Sequence, residues 1–230
     1  MITRRERLRQ ATIDEIKTIA WDLMQIQGSI TVNQITQQMG MTAPAFYGYF
    51  KSRDQLMEQL VMDSLDSFHQ AIKTARDGGP SDISQQVINI LLGYREWAIA
   101  NPMAFGLFAG KKIFGMDSTS QRFSEKTEKG YHIFFNLFDK AWRLSLITIP
   151  QTLVLPLPYK KQMLKIKNIH GLSSPEEVIH HIIQVMALVH GLISLELSAR
   201  FDHMIEDSAA IFKFQIVSAL DQMGFSYKAE

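Results

Sequence analysis

The sequence predicts an all-α protein: a small three-helix unit at the N-terminus, followed by a larger helical unit. Three observations carry this. Apolar residues recur at three- and four-residue steps along nearly the whole chain. Capping residues and left-handed glycine stops fall between those runs. Sustained two-residue alternation is missing outside one short stretch. The 230 residues, 46% hydrophobic and 20% charged, are enough to bury a core without disulfide or metal staples.

Taken in order, Ile13, Ile16, Ala20 and Leu23 mark the first helix, which Gly28 stops. Thr31 with Gln34 forms a capping box, with Ile30 placed as a hydrophobic staple. Val32, Ile35 and Met39 give this second helix its buried face, and Gly40 ends it. Thr42 caps a third helix with Pro44 in its first turn, where the missing N–H costs nothing, and Phe46 and Phe50 form its apolar edge. Ser52 and Gln55 open a fourth, with the stripe Met57, Val61, Leu65, Phe68, Ile72. Gly78-Gly79-Pro80 breaks the chain.

Beyond that break, Ile83, Val87, Leu91, Tyr94 and Ala98 mark a helix ended by Asn101-Pro102. A short apolar helix over 103–109, a polar glycine-bearing stretch over 110–120 and a phenylalanine-rich helix over 121–143 come next. Residues 145–172, with Pro150, Pro156 and Pro158, read as an extended loop. Ser174-Pro175-Glu176-Glu177 reads as a helix start with Ser174 as its cap. The helix that follows carries two apolar stripes, one through Val178, Ile182, Val185, Val189 and Leu192, the other through Ile179, Ile183, Met186, His190 and Ile193. The last helix, about Asp207 to Met223 with Gly224 as its stop, is doubled in the same way. A helix with two stripes is buried on two sides. A second copy of the chain is the simplest cover, meeting Val185, Val189, Leu192, Phe212, Ile216 and Ala219.

Composition excludes several classes. There is no cysteine, hence no disulfide scaffold, thiol nucleophile or thiolate metal site. No uninterrupted apolar run approaches the ~20 residues of a membrane span, and no apolar stretch follows Met1-Ile2-Thr3-Arg4-Arg5, so a cytoplasmic location without membrane contact is expected. Glu177-Val178-Ile179-His180 has the spacing used twice in di-iron bundles but occurs once, and no phosphate loop or nucleophile elbow is present. No metal or cofactor is expected. The first 56 residues hold seven basic and five acidic side chains, net +2, against −1 for the other 174. Arg4, Arg5, Arg7 and Arg9 read as a short basic arm suited to a phosphate backbone.

Two short helices joined by Gly40-Met41, behind a longer first helix, have the outline of a helix-turn-helix, whose second short helix enters a DNA major groove. Ile30-Thr31-Val32, Ile35, Met39-Gly40-Met41-Thr42 and Phe46-Tyr47-Gly48-Tyr49-Phe50-Lys51-Ser52-Arg53-Asp54-Gln55-Leu56 closely resemble the DNA-binding region of the TetR family of transcriptional repressors. Tyr49 stands where that pattern has His, Arg53 where it has Lys, and Asp54 where it has Glu. The expected partner is a double-stranded operator, with 1–56 as DNA-binding domain and 57–230 as effector and dimerisation domain. Thr31 and Thr42 can set hydroxyls and backbone N–H groups against phosphates, and Lys51 can add a charge contact. Tyr47 and Tyr49 can bond phosphates or stack on sugars. Ala43, Pro44 and Gly48 permit close approach to thymine methyls. Residues 42–50 contain no Arg, Asn or Gln, so purine readout falls to Gln37 or to the arginine arm.

The second half also carries a resemblance. Tyr94-Arg95-Glu96-Trp97-Ala98-Ile99-Ala100-Asn101-Pro102, Phe105-Gly106-Leu107-Phe108 and Met186-Ala187-Leu188-Val189-His190-Gly191-Leu192 look like the effector domain named for its Trp-His-Gly signature, with Met186 in place of the Trp. Tyr94, Trp97, Phe105, Phe108, Phe138, Met186 and His190 are the candidate lining of a pocket for a small apolar or aromatic effector. The expected function is a dimeric, ligand-released repressor. The alternatives are a helix-turn-helix regulator governed by a protein partner and, more remotely, an enzyme on a helical scaffold, although the chain offers no paired acid and base for one.

Overall fold

The computed structural model describes residues 2–80, 82–109, 121–149, 153–200 and 203–225. The polar stretch expected over 110–120 lies outside them, as does the side chain of Phe108. Ten helices and no strands are present among the described residues: α1 (Arg4–Gln27), α2 (Val32–Met39), α3 (Ala43–Tyr47), α4 (Arg53–Asp77), α5 (Ile83–Ala100), α6 (Pro102–Ala109), α7 (Gln121–Arg143), α8 (Leu157–His170), α9 (Glu176–Leu197) and α10 (Ser208–Gln222). They form two units. The first holds the chain to Leu65 together with the stretch from Met103 to Phe123, and the second holds the rest.

In the first unit, Ile16, Ala20 and Leu23 of α1 meet Ile35, Phe46, Leu56 and Leu60 in one buried cluster that Leu107 of α6 joins. The helix boundaries follow local chemistry. Thr31 Oγ1 accepts from Gln34 N–H at 3.3 Å while Gln34 Oε1 takes the Thr31 N–H at 2.8 Å. Gly28 and Gly40 close α1 and α2 at φ of 71° and 63°, a region where a Cβ is strained. The basic arm is corrected. Thr3 and Glu6 make a second capping box, and α1 starts at Arg4, so all four arginines sit on a helix rather than on a tether ahead of one.

In the second unit, α9 packs against α5, α8 and α10, and α10 also meets α5. Val178, Ile179, Ile182, Val185, Val189 and Ile193 form the covered face of α9. By length and composition α9 is apolar enough to cross a membrane, a property that counting uninterrupted apolar runs passed over. Its contacts with three helices give that apolarity a use inside the unit.

Two local expectations are overturned here. Residues 157–170 are helical, not an extended loop, because Pro156 and Pro158 fall at the N-cap and in the first turn, where proline is compatible with a helix. Behind them Tyr159, Met163, Ile166 and His170 repeat at four, three and four residues, and Gly171 stops the helix at φ 64°. Ser174 is not a cap either. Pro175 occupies the N-cap position without a side-chain bond, and Ser174 donates to Asp139 instead.

Helices α4 and α5 approach as closely as glycine permits, since a Cβ built on Gly93 would stand 2.5 Å from Ala75 Cβ. Alanine favours a helix interior over glycine by up to ~1 kcal/mol, but here the added methyl must force two backbones apart. Gly93→Ala is therefore expected to lower stability by about 1–3 kcal/mol. Thermal unfolding checks this, and a higher melting temperature would show that the helices separate freely.

Candidate nucleic-acid interface

The exposed side of the first unit is set by which side chains its core demands. Within α3, Phe46 is fully buried, and its ring stacks on that of Phe50 at 5.8 Å. That anchoring turns the opposite edge outward. Thr42, Pro44, Tyr47, Gly48 and Lys51 are exposed, and Ala43 and Tyr49 are half-buried. Tyr47 keeps 53% of its surface accessible while its ring meets Phe46 edge-on at 5.6 Å. On α2, Asn33, Gln37 and Gln38 are exposed, whereas Thr36 is buried and bonds back to the Asn33 carbonyl at 3.1 Å. All nine residues expected to meet DNA thus lie on the surface or at its edge, within two consecutive short helices and the turn after them.

The two threonines differ in what they can still offer. Thr42 Oγ1 accepts the Ala45 N–H at 3.4 Å, a role that leaves its hydroxyl proton to donate outward. Thr31 Oγ1 both accepts from Gln34 N–H and donates to Gln34 Oε1 at 2.8 Å, so a phosphate contact by this hydroxyl must replace that bond. The Lys51 backbone N–H donates to Gln55 Oε1, which fixes the turn and leaves the ammonium outward.

Two arginines in this unit do work that sequence reasoning missed. Arg53 Nε donates to the Ile30 carbonyl at 2.8 Å, pinning the turn before α2 to the start of α4. Arg9 Nη2 donates to the Gly48 carbonyl at 2.9 Å, and its guanidinium carbon lies 5.1 Å from the centre of the Tyr49 ring. Arg53 had a signal, because it occupies the basic position of the family pattern. Arg9 had none, being 39 residues from its partner.

The candidate effector residues are brought together only in part. Tyr94 Oη and His190 Nδ1 lie 3.0 Å apart, and Phe68 links the Tyr94 and Trp97 rings at 4.8 and 5.1 Å. Trp97 Nε1 donates to Ser67 Oγ at 3.0 Å. Burial, with Tyr131 nearby, pushes the Tyr94 phenol far up, and burial pulls the His190 imidazole down, so both are neutral near pH 7. Met186 is half-buried; Phe138 is fully buried, with Phe225 beside it at 6.3 Å. Phe105 is instead a buried residue of the first unit. A shallow, solvent-open crevice lies between α9 and α10, lined by Leu192, Leu195, Glu196, Ile205, Ser208, Ile211 and Phe212.

The dimer surface needs correction. Val185, Val189, Phe212 and Ile216 are covered by their own chain, at 2%, 0%, 2% and 0% exposure, so a second copy cannot reach them. Leu192 and Ala219 stay half-buried, and the large apolar side chains that α10 turns to solvent are Ile211 and Phe214, at 38% and 70%. Among the described residues no set of three His, Asp or Glu is placed to hold a metal ion. Glu177 and His180 are engaged elsewhere, with Lys160 at 3.2 Å and Tyr159 at 2.9 Å.

Comparison with known proteins settles the family. The family model described as the tetracyclin repressor-like C-terminal domain matches residues 87–219, more than half of the chain. The chain belongs to the TetR family of transcriptional regulators. It is 27% identical over 188 residues to the HTH-type transcriptional regulator Rv1816 of Mycobacterium tuberculosis, covering 81% of this chain and 80% of that one. The same figures hold for the regulator Mb1846 of Mycobacterium bovis. Among solved structures, the regulatory protein SCO4313 superposes with a TM-score of 0.78 at 24% identity, covering 95% of this chain and all of that one. A TetR-family regulatory protein from Rhodococcus RHA1 gives 0.63 at 14%, covering 94% and 98%. At these identities the structural likenesses speak for the fold of this TetR-family regulator.

Proposed function

We propose that this TetR-family regulator is a cytoplasmic repressor that binds a palindromic operator as a homodimer and leaves it when a small apolar or aromatic effector binds the second unit. The exposure pattern of α3 carries the DNA half of this reading. Phe46 and Phe50 hold the helix from inside, so Thr42, Ala43, Pro44, Tyr47 and Gly48 are presented to a groove, flanked by Lys51, by Thr31 at the N-cap of α2 and by Gln37 on α2. In the dimer each head reads one half-site, and the partner covers Phe214 and Ile211 together with Leu192 and Ala219. The effector lies against Trp97 and Met186 with the Tyr94–His190 pair as its polar end. It acts only through its preference for one state, and moving a population from 1:99 to 99:1 takes ~5.5 kcal/mol of such preference.

Lys51 provides the test. Its ammonium contacts the phosphate backbone, so Lys51→Ala weakens binding almost equally for all sequences and lowers the slope of log affinity against log salt by about one. Gel-shift titrations across a salt series read both quantities. An altered base preference with an unchanged slope would remove Lys51 from the backbone.

A further inference from the structure

We infer that Arg9 is a positioning residue for DNA recognition: it holds the end of α3 in the DNA-competent direction and does not itself meet a phosphate. The inference rests on the reading of α3 as the helix that enters the groove. Helix α3 has only five residues, and the carbonyls that end a helix lack partners within it. Arg9 reaches across from α1 to one carbonyl just past that end, donating to Gly48 at 2.9 Å. The same guanidinium lies over the Tyr49 ring at 5.1 Å. A planar fork can bond a carbonyl and lie on an aromatic face at once, which a lysine ammonium cannot reproduce.

What this fixes is specific. Phe46 and Phe50 hold α3 from the core side only. Gly48 and Tyr49 lie between Tyr47 and Lys51, so the direction of both DNA-facing side chains depends on this turn. Gly48 has a helical backbone, φ −70° and ψ −19°, and glycine resists departure from it less than any other residue. The N–H groups of Gly48 and Tyr49 close the turn locally on the Ala45 and Phe46 carbonyls, and Arg9 adds the one restraint on its outward Gly48 carbonyl that comes from another helix. The contact is exposed, so it adds little to folding stability while constraining the segment that must be ordered before it meets DNA.

The test uses the whole chain as it assembles in solution and a duplex spanning the DNA that flanks its own coding region, with affinity measured over a salt series. Arg9→Met is expected to bind about tenfold more weakly at every salt concentration, with an unchanged salt slope and melting temperature. Arg9→Lys keeps the charge and is expected to stay as weak. A slope lowered by about one together with rescue by Arg9→Lys would make Arg9 a phosphate contact and overturn the inference. Wild-type affinity in Arg9→Met would overturn it equally. Should Arg9→Met melt early, Tyr49→Leu removes the ring instead, and Arg9→Met must then cost clearly less in the Tyr49→Leu background than in the wild type. The full tenfold loss in both backgrounds would refute the coupling. Tyr47→Ala separates the two levels of the argument. If it binds like wild type, α3 does not meet DNA; if it loses binding while Arg9→Met does not, only the role of Arg9 falls.

Discussion

Asp139→Ala should destabilise the second unit by about 3 kcal/mol or more, among the largest losses available to a single polar side chain in this protein. The Asp139 carboxylate is 5% exposed near the end of α7 and takes four donors from the chain entering α9. Ser173 N–H donates at 2.8 Å and its hydroxyl at 3.0 Å, Ser174 N–H donates at 2.7 Å, and the Ser174 hydroxyl adds the fourth. Removing the carboxylate leaves buried donors unpaired, and that loss exceeds the modest net value of each bond when made. Asp139→Asn keeps the shape but not the charge and one of the acceptor oxygens, so it should fall between the two. Urea unfolding measures all three proteins.

The pH dependence has a definite sign. Burial raises the Asp139 pKa, but the bonds from Ser174 and Ser173 outweigh it and hold the carboxyl below its ordinary value. A lowered folded-state pKa contributes stability that is complete above the unfolded value, about 3.9, and is lost as pH falls through the folded one. The gap between wild type and Asp139→Asn should therefore be widest near neutrality and close below about pH 4. A constant gap down to acid pH would show that the charge of Asp139 is not what holds α7 to the start of α9.

The second large effect separates two neighbouring rings. Phe46→Ala should cost about 3–5 kcal/mol, a large share of the ~5–15 kcal/mol that holds a domain folded. Phe46 is fully buried between α2 and α4 residues, and a five-residue helix cannot persist without such packing. DNA binding should vanish with the fold of the first unit. Tyr47→Ala, one residue on, removes a ring that is 53% exposed, so its melting temperature should barely move while its DNA affinity collapses. Circular dichroism melts beside gel shifts distinguish the two. A Phe46→Ala protein that stays folded and binds DNA fully would show that α3 does not depend on this ring.

These contrasts also show what can be read from a sequence and what cannot. Capping boxes are local, so Thr31 with Gln34 was legible and fixed α2 closely, and the last helix, read from about Asp207 to Met223, runs from Ser208 to Gln222. The equivalent box at Thr3 and Glu6 lies ahead of the apolar period that begins at Ile13, so α1 starts earlier than that period implies. Pro156 and Pro158 are ambiguous by themselves, because proline fits both an extended segment and the first turn of a helix, and only the four-three-four repeat behind them decides for α8. Stripe width on α9 and α10 said correctly that two sides are apolar, but not which side the chain covers for itself, and Val185, Val189, Phe212 and Ile216 are the result. The bonds from Arg9 to Gly48 and from Ser173 to Asp139 span 39 and 34 residues and carry no local signature. The exposed edge of α3 was legible for a physical reason: the spacing of Phe46 and Phe50 decides which edge turns outward.

The most direct test of the account is a footprint on the DNA flanking the protein's own coding region, taken with wild type and with Tyr47→Ala. The predicted result is two protected half-sites related by two-fold symmetry, their centres ~34 Å or a multiple apart along the helix, with protection lost in a fully folded Tyr47→Ala. Protection of one unsymmetrical site, or a footprint unchanged by Tyr47→Ala, would contradict a dimer that reads its operator through α3.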